Sequence, residues 1–122
     1  MRTIIAGSRE IVDYELLVDL MEEAAAAGIF PTVVLSGTAR GVDKLGERWA
    51  EENGVPLERY SADWEKFGKR AGPIRNSLMV SKAEALLVLW DGESRGTRNV
   101  MMLAERAFLK VYWKTPVEVA SK

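Results

Sequence analysis

Three stretches of this chain are apolar without interruption, and each runs directly into a loop containing glycine. Thr3–Ala6 leads into Gly7-Ser8-Arg9, and Thr32–Leu35 leads into Ser36-Gly37-Thr38-Ala39-Arg40-Gly41. Ala85–Trp90 leads into Asp91-Gly92-Glu93-Ser94-Arg95-Gly96-Thr97-Arg98. A strand with one wet face alternates apolar and polar residues, whereas an unbroken run marks a strand covered on both faces. Such strands belong to parallel sheets sandwiched between helices. The intervening stretches have the matching helical spacing. Tyr14–Ala27 carries Leu16, Leu17, Leu20, Met21 and Ala24 on one face, with Asp13 as N-cap and Gly28 as the stop. Val42–Asn53 carries Leu45, Trp49 and Ala50, and Gly54 and Pro56 end it.

The remaining segments complete the pattern. Leu57–Tyr60 and Leu109–Trp113 are weaker strands, interrupted by Glu58-Arg59 and by Lys110 as edge strands allow. Ser61–Gly72 reads as a loop, and Pro73 opens the helix Ile74–Lys82. Arg98–Phe108 reads as a helix, and Met79, Met101 and Met102 are expected in the core. The result is an α/β fold: one Rossmann-like three-layer domain over residues 1–116, with a C-terminal tail at 117–122. The five-stranded parallel sheet is expected in the order 3-2-1-4-5. Ligands of such sheets bind at the carboxyl ends of the strands, here where strands 1 and 4 diverge.

Composition narrows the chemistry. The 122 residues include no Cys and no His. That removes disulfides, thiolate nucleophiles, imidazole relays and zinc clusters of the usual kind. Seventeen basic residues stand against 18 acidic ones, a net charge of −1, so bulk attraction to DNA or membrane is not expected. Met1–Gly7 is too short for a signal-peptide core, and no segment reaches the ~18 apolar residues of a membrane span. A cytoplasmic location and no membrane partner are therefore expected.

What the composition leaves is gathered on the expected rim. Gly7, Ser8, Arg9, Ser36, Gly37, Thr38, Arg40, Gly41, Ser94, Arg95, Gly96 and Thr97 follow the three strands. The long loop and the helix after it add Lys69, Arg70, Arg75 and Asn76. Glycines let a backbone approach a ligand, helix starts present N–H groups to anions, and arginine offers forked donors. Together they point to an anion site. It is neither a P-loop nor a G-x-G-x-x-G dinucleotide site, because both motifs are absent. An acidic set, Glu10, Asp43, Asp63, Glu65, Asp91 and Glu93, falls nearby. Asp91 and Glu93 are spaced to suit magnesium or acid–base work, and Asp43 to meet the dipole of the second helix. Trp49, Trp90 and Trp113 read as packing residues. Trp64, in a polar loop, reads equally as a base-stacking platform or a loop anchor.

Taken together, Ile5–Arg9, Ser36–Asp43, Gly68–Asn76 and Leu89–Thr97 resemble the YspA-like family of the SLOG superfamily, small Rossmann-like proteins of bacteria and phages. Ser36–Asp43 is similar to the S-G-x-A-R-G-I-D stretch of the Smf/DprA DNA-processing proteins, and Arg75-Asn76 to their R-R-N-R segment. The resemblance implies a nucleotide-derived phosphorylated ligand at the rim, in a signalling or defence setting, and self-association as a homodimer or higher oligomer. Its DprA side implies single-stranded DNA as an alternative partner. The related lonely-guy enzymes imply N-glycosidic hydrolysis of nucleoside phosphates. Their G-G-x-G-T-x-x-E motif is matched here at Gly96 and Thr97, but Val100 stands at the catalytic Glu position. Catalytic candidates are then Glu93, Asp91 and Asp43.

Overall fold

The first strand of the chain is also the middle strand of the sheet. In a computed structural model, which describes residues 1–116, β1 (Arg2–Gly7) lies between β2 (Val33–Ser36) and β4 (Ala85–Leu89), parallel to both. β3 (Leu57–Arg59) and β5 (Lys110–Lys114) form the edges, giving the order β3-β2-β1-β4-β5 expected from the apolar runs. The tail assigned to 117–122 lies outside the described residues.

Side chains alternate across the sheet and feed two cores. Ile5, Val34, Leu87 and Leu89 point to one face, which α1 (Tyr14–Ala26) and α2 (Val42–Glu52) cover. Ile4, Ala6, Leu35, Leu86 and Val88 point to the other, under α4 (Ala71–Lys82) and α5 (Arg95–Arg106). Ile4, Ile5, Leu35, Leu86, Leu87 and Leu89 are all fully buried. Each such side chain contributes roughly 1.5–3 kcal/mol of transfer free energy. None of the described helices is long and apolar enough to cross a membrane.

Among the boundaries that differ from the sequence reading, two matter for the site; α4 also begins at Ala71, two residues before Pro73. The segment expected as a loop at Ser61–Gly72 contains a helical turn, α3 (Trp64–Phe67), and a 3₁₀ turn, Gly68–Arg70, which leads into α4. Asp63 caps α3 by accepting from the Lys66 N–H at 3.1 Å. The polar sequence hid a capped helix start. Likewise α5 begins at Arg95 and not at Arg98, because Ser94 is its N-cap and accepts from the Thr97 N–H at 3.3 Å. Two expected core residues lie further out. Met102 is 40 % exposed on α5, and Trp113 is 47 % exposed on edge strand β5, edge-on to Trp90 with ring centroids 5.8 Å apart.

Candidate functional site

The carboxyl end of β1 meets the start of α2 unusually closely. A Cβ on Gly7 would lie 2.1 Å from the Leu89 carbonyl oxygen and 2.7 Å from Val42 Cγ2. Gly41, at φ +81°, brings its backbone against the Ser8 and Arg9 carbonyl oxygens, where a Cβ would sit 2.4 and 2.5 Å away. Buried Ser8 fastens this floor. Its N–H donates to Leu89 O at 3.1 Å, and its Oγ accepts from the Asp91 N–H at 2.8 Å.

Above the floor, two opposite charges are drawn out of water around Gly37. A Cβ at Gly37 would be 2.8 Å from both Asp43 Oδ2 and Arg75 Nη1. Asp43, in the first turn of α2, is 6 % exposed, and its Oδ2 accepts from the Ala39 N–H at 3.2 Å. Burial pushes its carboxyl up to about 6, against the opposing pull of that N–H and of the Arg75 charge. Arg75 Nη1 donates to Gly37 O at 2.5 Å, and its Nε donates to Asn76 Oδ1 at 2.8 Å. Burial lowers the guanidinium below its ordinary range, and nearby Arg9 adds to this, while Asp43 opposes it. Asn76, buried on α4, donates through Nδ2 to Asn99 Oδ1 at 2.9 Å and Gly96 O at 3.3 Å, tying α4 to α5.

The start of α5 forms the facing wall. Ser94 and Thr97 share a hydroxyl contact at 3.0 Å. The first N–H groups of the helix, at Arg95 and Gly96, have no partner within the helix. Nothing lies within 4 Å of a Cβ built on Gly96, so the backbone there is open. Gly7, Arg9, Asp43, Arg75, Asn76, Ser94, Gly96 and Thr97 together line one narrow cleft of about 50 Å³. Two depressions adjoin it through the shared residues Arg9 and Arg75. One takes in Gly37, Thr38, Arg40 and Trp64; the other takes in Trp64, Lys69, Arg95 and Gly96. Trp64 is 51 % exposed, with its ring against Gly72.

Other residues named from the sequence face elsewhere. Ser36 is buried and donates to Glu47 Oε2 at 2.6 Å, away from the cleft. Arg40 reaches the depression beside Trp64 but ion-pairs with Glu10 at 2.7 Å. Asp91 spends Oδ1 on the N–H groups of Glu93 and Ser94 at 2.8 and 3.0 Å. Those bonds hold its carboxyl below the ordinary range. Neither Asp91 nor Glu93 lines the cleft. Asp63 caps α3, while Glu65 and Arg70 are exposed. Among the described residues no group of three or more acidic side chains is placed to hold a metal ion. The lonely-guy Glu position, Val100, is 2 % exposed and puts an apolar side chain on the cleft wall.

The sequence reading missed Glu47 and Asn99. Glu47 is 6 % exposed and bonded to Ser36 and Arg59. Burial raises its carboxyl, but these bonds outweigh burial and hold it below the ordinary range. Its signal was the i,i+4 spacing from Asp43, on a face where Gly46 abuts Ile5.

Comparison with known proteins places this geometry in a family. A model of the YAcAr family, described as YspA, cpYpsA-related SLOG, matches residues 1–67, more than half of the chain. The Gene 61 protein of Mycobacterium phage D29 is 37 % identical over 116 residues, covering 90 % of this chain and 93 % of that protein. The chain belongs to the YspA, cpYpsA-related SLOG family. The solved structure of DNA processing protein A (DprA) from Streptococcus pneumoniae matches 99 % of this SLOG chain with a TM-score of 0.72 at 16 % identity, a likeness of fold. This chain spans about half of that protein's length, 53 %. The family match ends at residue 67, so the α4 and α5 walls of the SLOG cleft, with Arg75, Asn76 and Gly96, lie beyond it.

Proposed function

We propose that this SLOG protein binds a nucleotide or nucleotide-derived phosphorylated ligand in the cleft between β1, α2, α4 and α5. One observation carries the reading. Arg9 and Arg75 converge with the open start of α5 on a single cleft at the carboxyl ends of the strands. Guanidinium forks and helix-start N–H groups are phosphate donors, and the glycine backbone permits close approach. The family and fold support a nucleotide- or DNA-related role in general. Trp64 at the adjoining depressions is placed to stack a base.

Thermal shift and calorimetry across a panel of nucleoside mono-, di- and triphosphates test this. A subset is expected to raise Tm, and Arg9→Ala to weaken that subset roughly tenfold or more. Arg9 is exposed, so its loss leaves the fold intact. A flat response across the panel rejects the reading. Exposed Trp64, Lys69 and Arg95 around one depression favour a second reading, single-stranded DNA binding. It predicts oligonucleotide affinity that falls steeply with added salt. Hydrolysis of the bound ligand is the third possibility for the same cleft, read out as release of free base.

A further inference from the structure

The cleft that gathers the phosphate donors also contains a carboxylate, which a phosphate repels. Asp43 is the one acidic residue among those lining it, and it is more than nine-tenths buried. Glu47, one turn further along α2, is engaged by Ser36 and Arg59 and faces away. Asp43 Oδ2 takes the Ala39 N–H, while its other oxygen has no hydrogen-bond partner among the described residues. No buried side-chain oxygen or nitrogen among the described residues is left unpartnered, so that second oxygen is open to the cleft. An open, desolvated carboxylate oxygen accepts hydrogen bonds and donates none. Among the described residues no cluster of acidic groups surrounds it to share a metal. The complementary ligand therefore brings a hydrogen-bond donor to this point.

We infer that Asp43 reads the sugar hydroxyls of the ligand, so that the cleft takes ribose phosphates and discriminates against their deoxy counterparts. This rests on the proposed nucleotide site and narrows it. Asp43 Oδ2 and Arg75 Nη1, each bonded to backbone, flank the same glycine, so the carboxylate and the guanidinium that carry the free acceptor and the remaining donors are close neighbours. A sugar phosphate carries its hydroxyls only a few bonds from its phosphate, and its two ends match these two groups. Trp64 lines the adjoining depressions and not this cleft, which leaves the base to them and the sugar to Asp43. Removing a hydroxyl would leave this oxygen facing the ligand without a donor, and polar sites of this kind discriminate strongly.

The charged groups acting on Asp43 are Arg75 from α4, Arg9 from the loop after β1, and Glu47 from α2. Burial raises the Asp43 carboxyl to about 6, so acidification toward pH 5 neutralises this acceptor. The preference for ribose is then expected to shrink with falling pH.

Calorimetry with matched ribo- and 2′- or 3′-deoxyribonucleoside monophosphates of all four bases, and with ribose 5-phosphate, tests the inference. Wild type at pH 8 is expected to bind the ribo forms roughly tenfold or more tightly, whichever base they carry. Asp43→Asn is expected to flatten the ratio, because the amide oxygen remains committed to the Ala39 N–H and an NH₂ group faces the cleft. Equal affinity for ribo and deoxy forms overturns the inference while the nucleotide site stands. So does a preference among bases without one among sugars, which would assign Asp43 to a base amino group. A ratio unchanged in Asp43→Asn also overturns it. Absence of any nucleotide binding defeats the broader reading instead, and the inference with it. Should Asp43→Asn fail to fold, the pH series on wild type decides: a ratio that does not move between pH 8 and 5 overturns the inference.

Discussion

Near the amino end of the sheet, Arg2 donates to both oxygens of Glu58, at 2.7 and 3.1 Å, and the Tyr60 hydroxyl donates to the same carboxylate at 2.6 Å. At the carboxyl end, Asp43 is buried with one N–H against one oxygen and no ion-pair contact within 4 Å among the described residues. The hydrogen bonds from Arg2 and Tyr60 hold Glu58 down to about 2, while burial pushes Asp43 up to about 6. One carboxylate is more acidic than in the unfolded chain and the other less so, hence their ionised forms act on stability in opposite directions. Paired surface charge is how a fold keeps its solvent face in order. Buried, half-satisfied charge at the carboxyl end works against stability, as function-bearing groups commonly do.

The largest effect is expected from closing the approach that creates the carboxyl-end floor. Gly7 pairs with Leu89 in the parallel ladder, and a methyl at Gly7 would meet the Leu89 carbonyl oxygen at 2.1 Å. Backbone cannot step aside without breaking the β1–β4 pairing. Gly7→Ala should therefore cost more than about 4 kcal/mol, enough to leave much of the chain unfolded. Gly96→Ala is the control on the same rim. It sits in the first turn of α5 with nothing within 4 Å, so it should be neutral or stabilise by roughly 0.5–1 kcal/mol. Urea unfolding of the two variants checks the contrast. Equal behaviour would mean that the floor yields.

Asp43→Asn tests the buried charge directly. The folded pKa of about 6 lies above the ordinary 3.8, so stability tied to the protonated form is fully present below pH 3.8. It is lost as pH rises through about 6. The ionised form then costs on the order of 3 kcal/mol. The Asn variant should be more stable than wild type at pH 8, by up to that amount, and equal to it near pH 4. A variant less stable than wild type at pH 8 would show that the Ala39 contact needs the full charge.

The fold was legible because strand burial writes itself into composition. Ile4-Ile5, Val33-Val34-Leu35 and Leu86–Leu89 have no polar residue to place on a wet face, and their glycine ends located the rim. The site was legible in its parts and less so in its grouping. Arg9, Arg75 and Gly96 meet on one cleft, yet Ser36 and Asp91 face structural partners, because small polar residues at strand ends serve turns as readily as ligands. Capping geometry hid the starts of α3 and α5: Asp63 and Ser94 each sit in polar surroundings that read as loop. Met102 fell outside the core because apolar residues crowd more of α5 than one buried face can hold.

Glu58→Gln supplies the smallest effect and the sharpest form of the comparison. Gln keeps the shape and loses the charge that Arg2 and Tyr60 serve. Both partners of the ion pair are more than one-third solvent-exposed, so water screens much of the attraction. The loss should lower Tm by no more than a few degrees, and by less at about 0.5 M salt. Its pH dependence should mirror that of Asp43. The folded pKa of about 2 lies below the ordinary 4.5, so the stabilisation is present above pH 4.5 and is lost as pH falls through about 2. The gap between wild type and Glu58→Gln should therefore hold steady from pH 5 to 8 and close in acid. The gap for Asp43→Asn should open over the range from pH 4 to 8, with the variant on top. Thermal melts of both variants on one pH series compare the two slopes. Slopes of the same sign would mean that the two ends of the sheet hold their carboxylates alike.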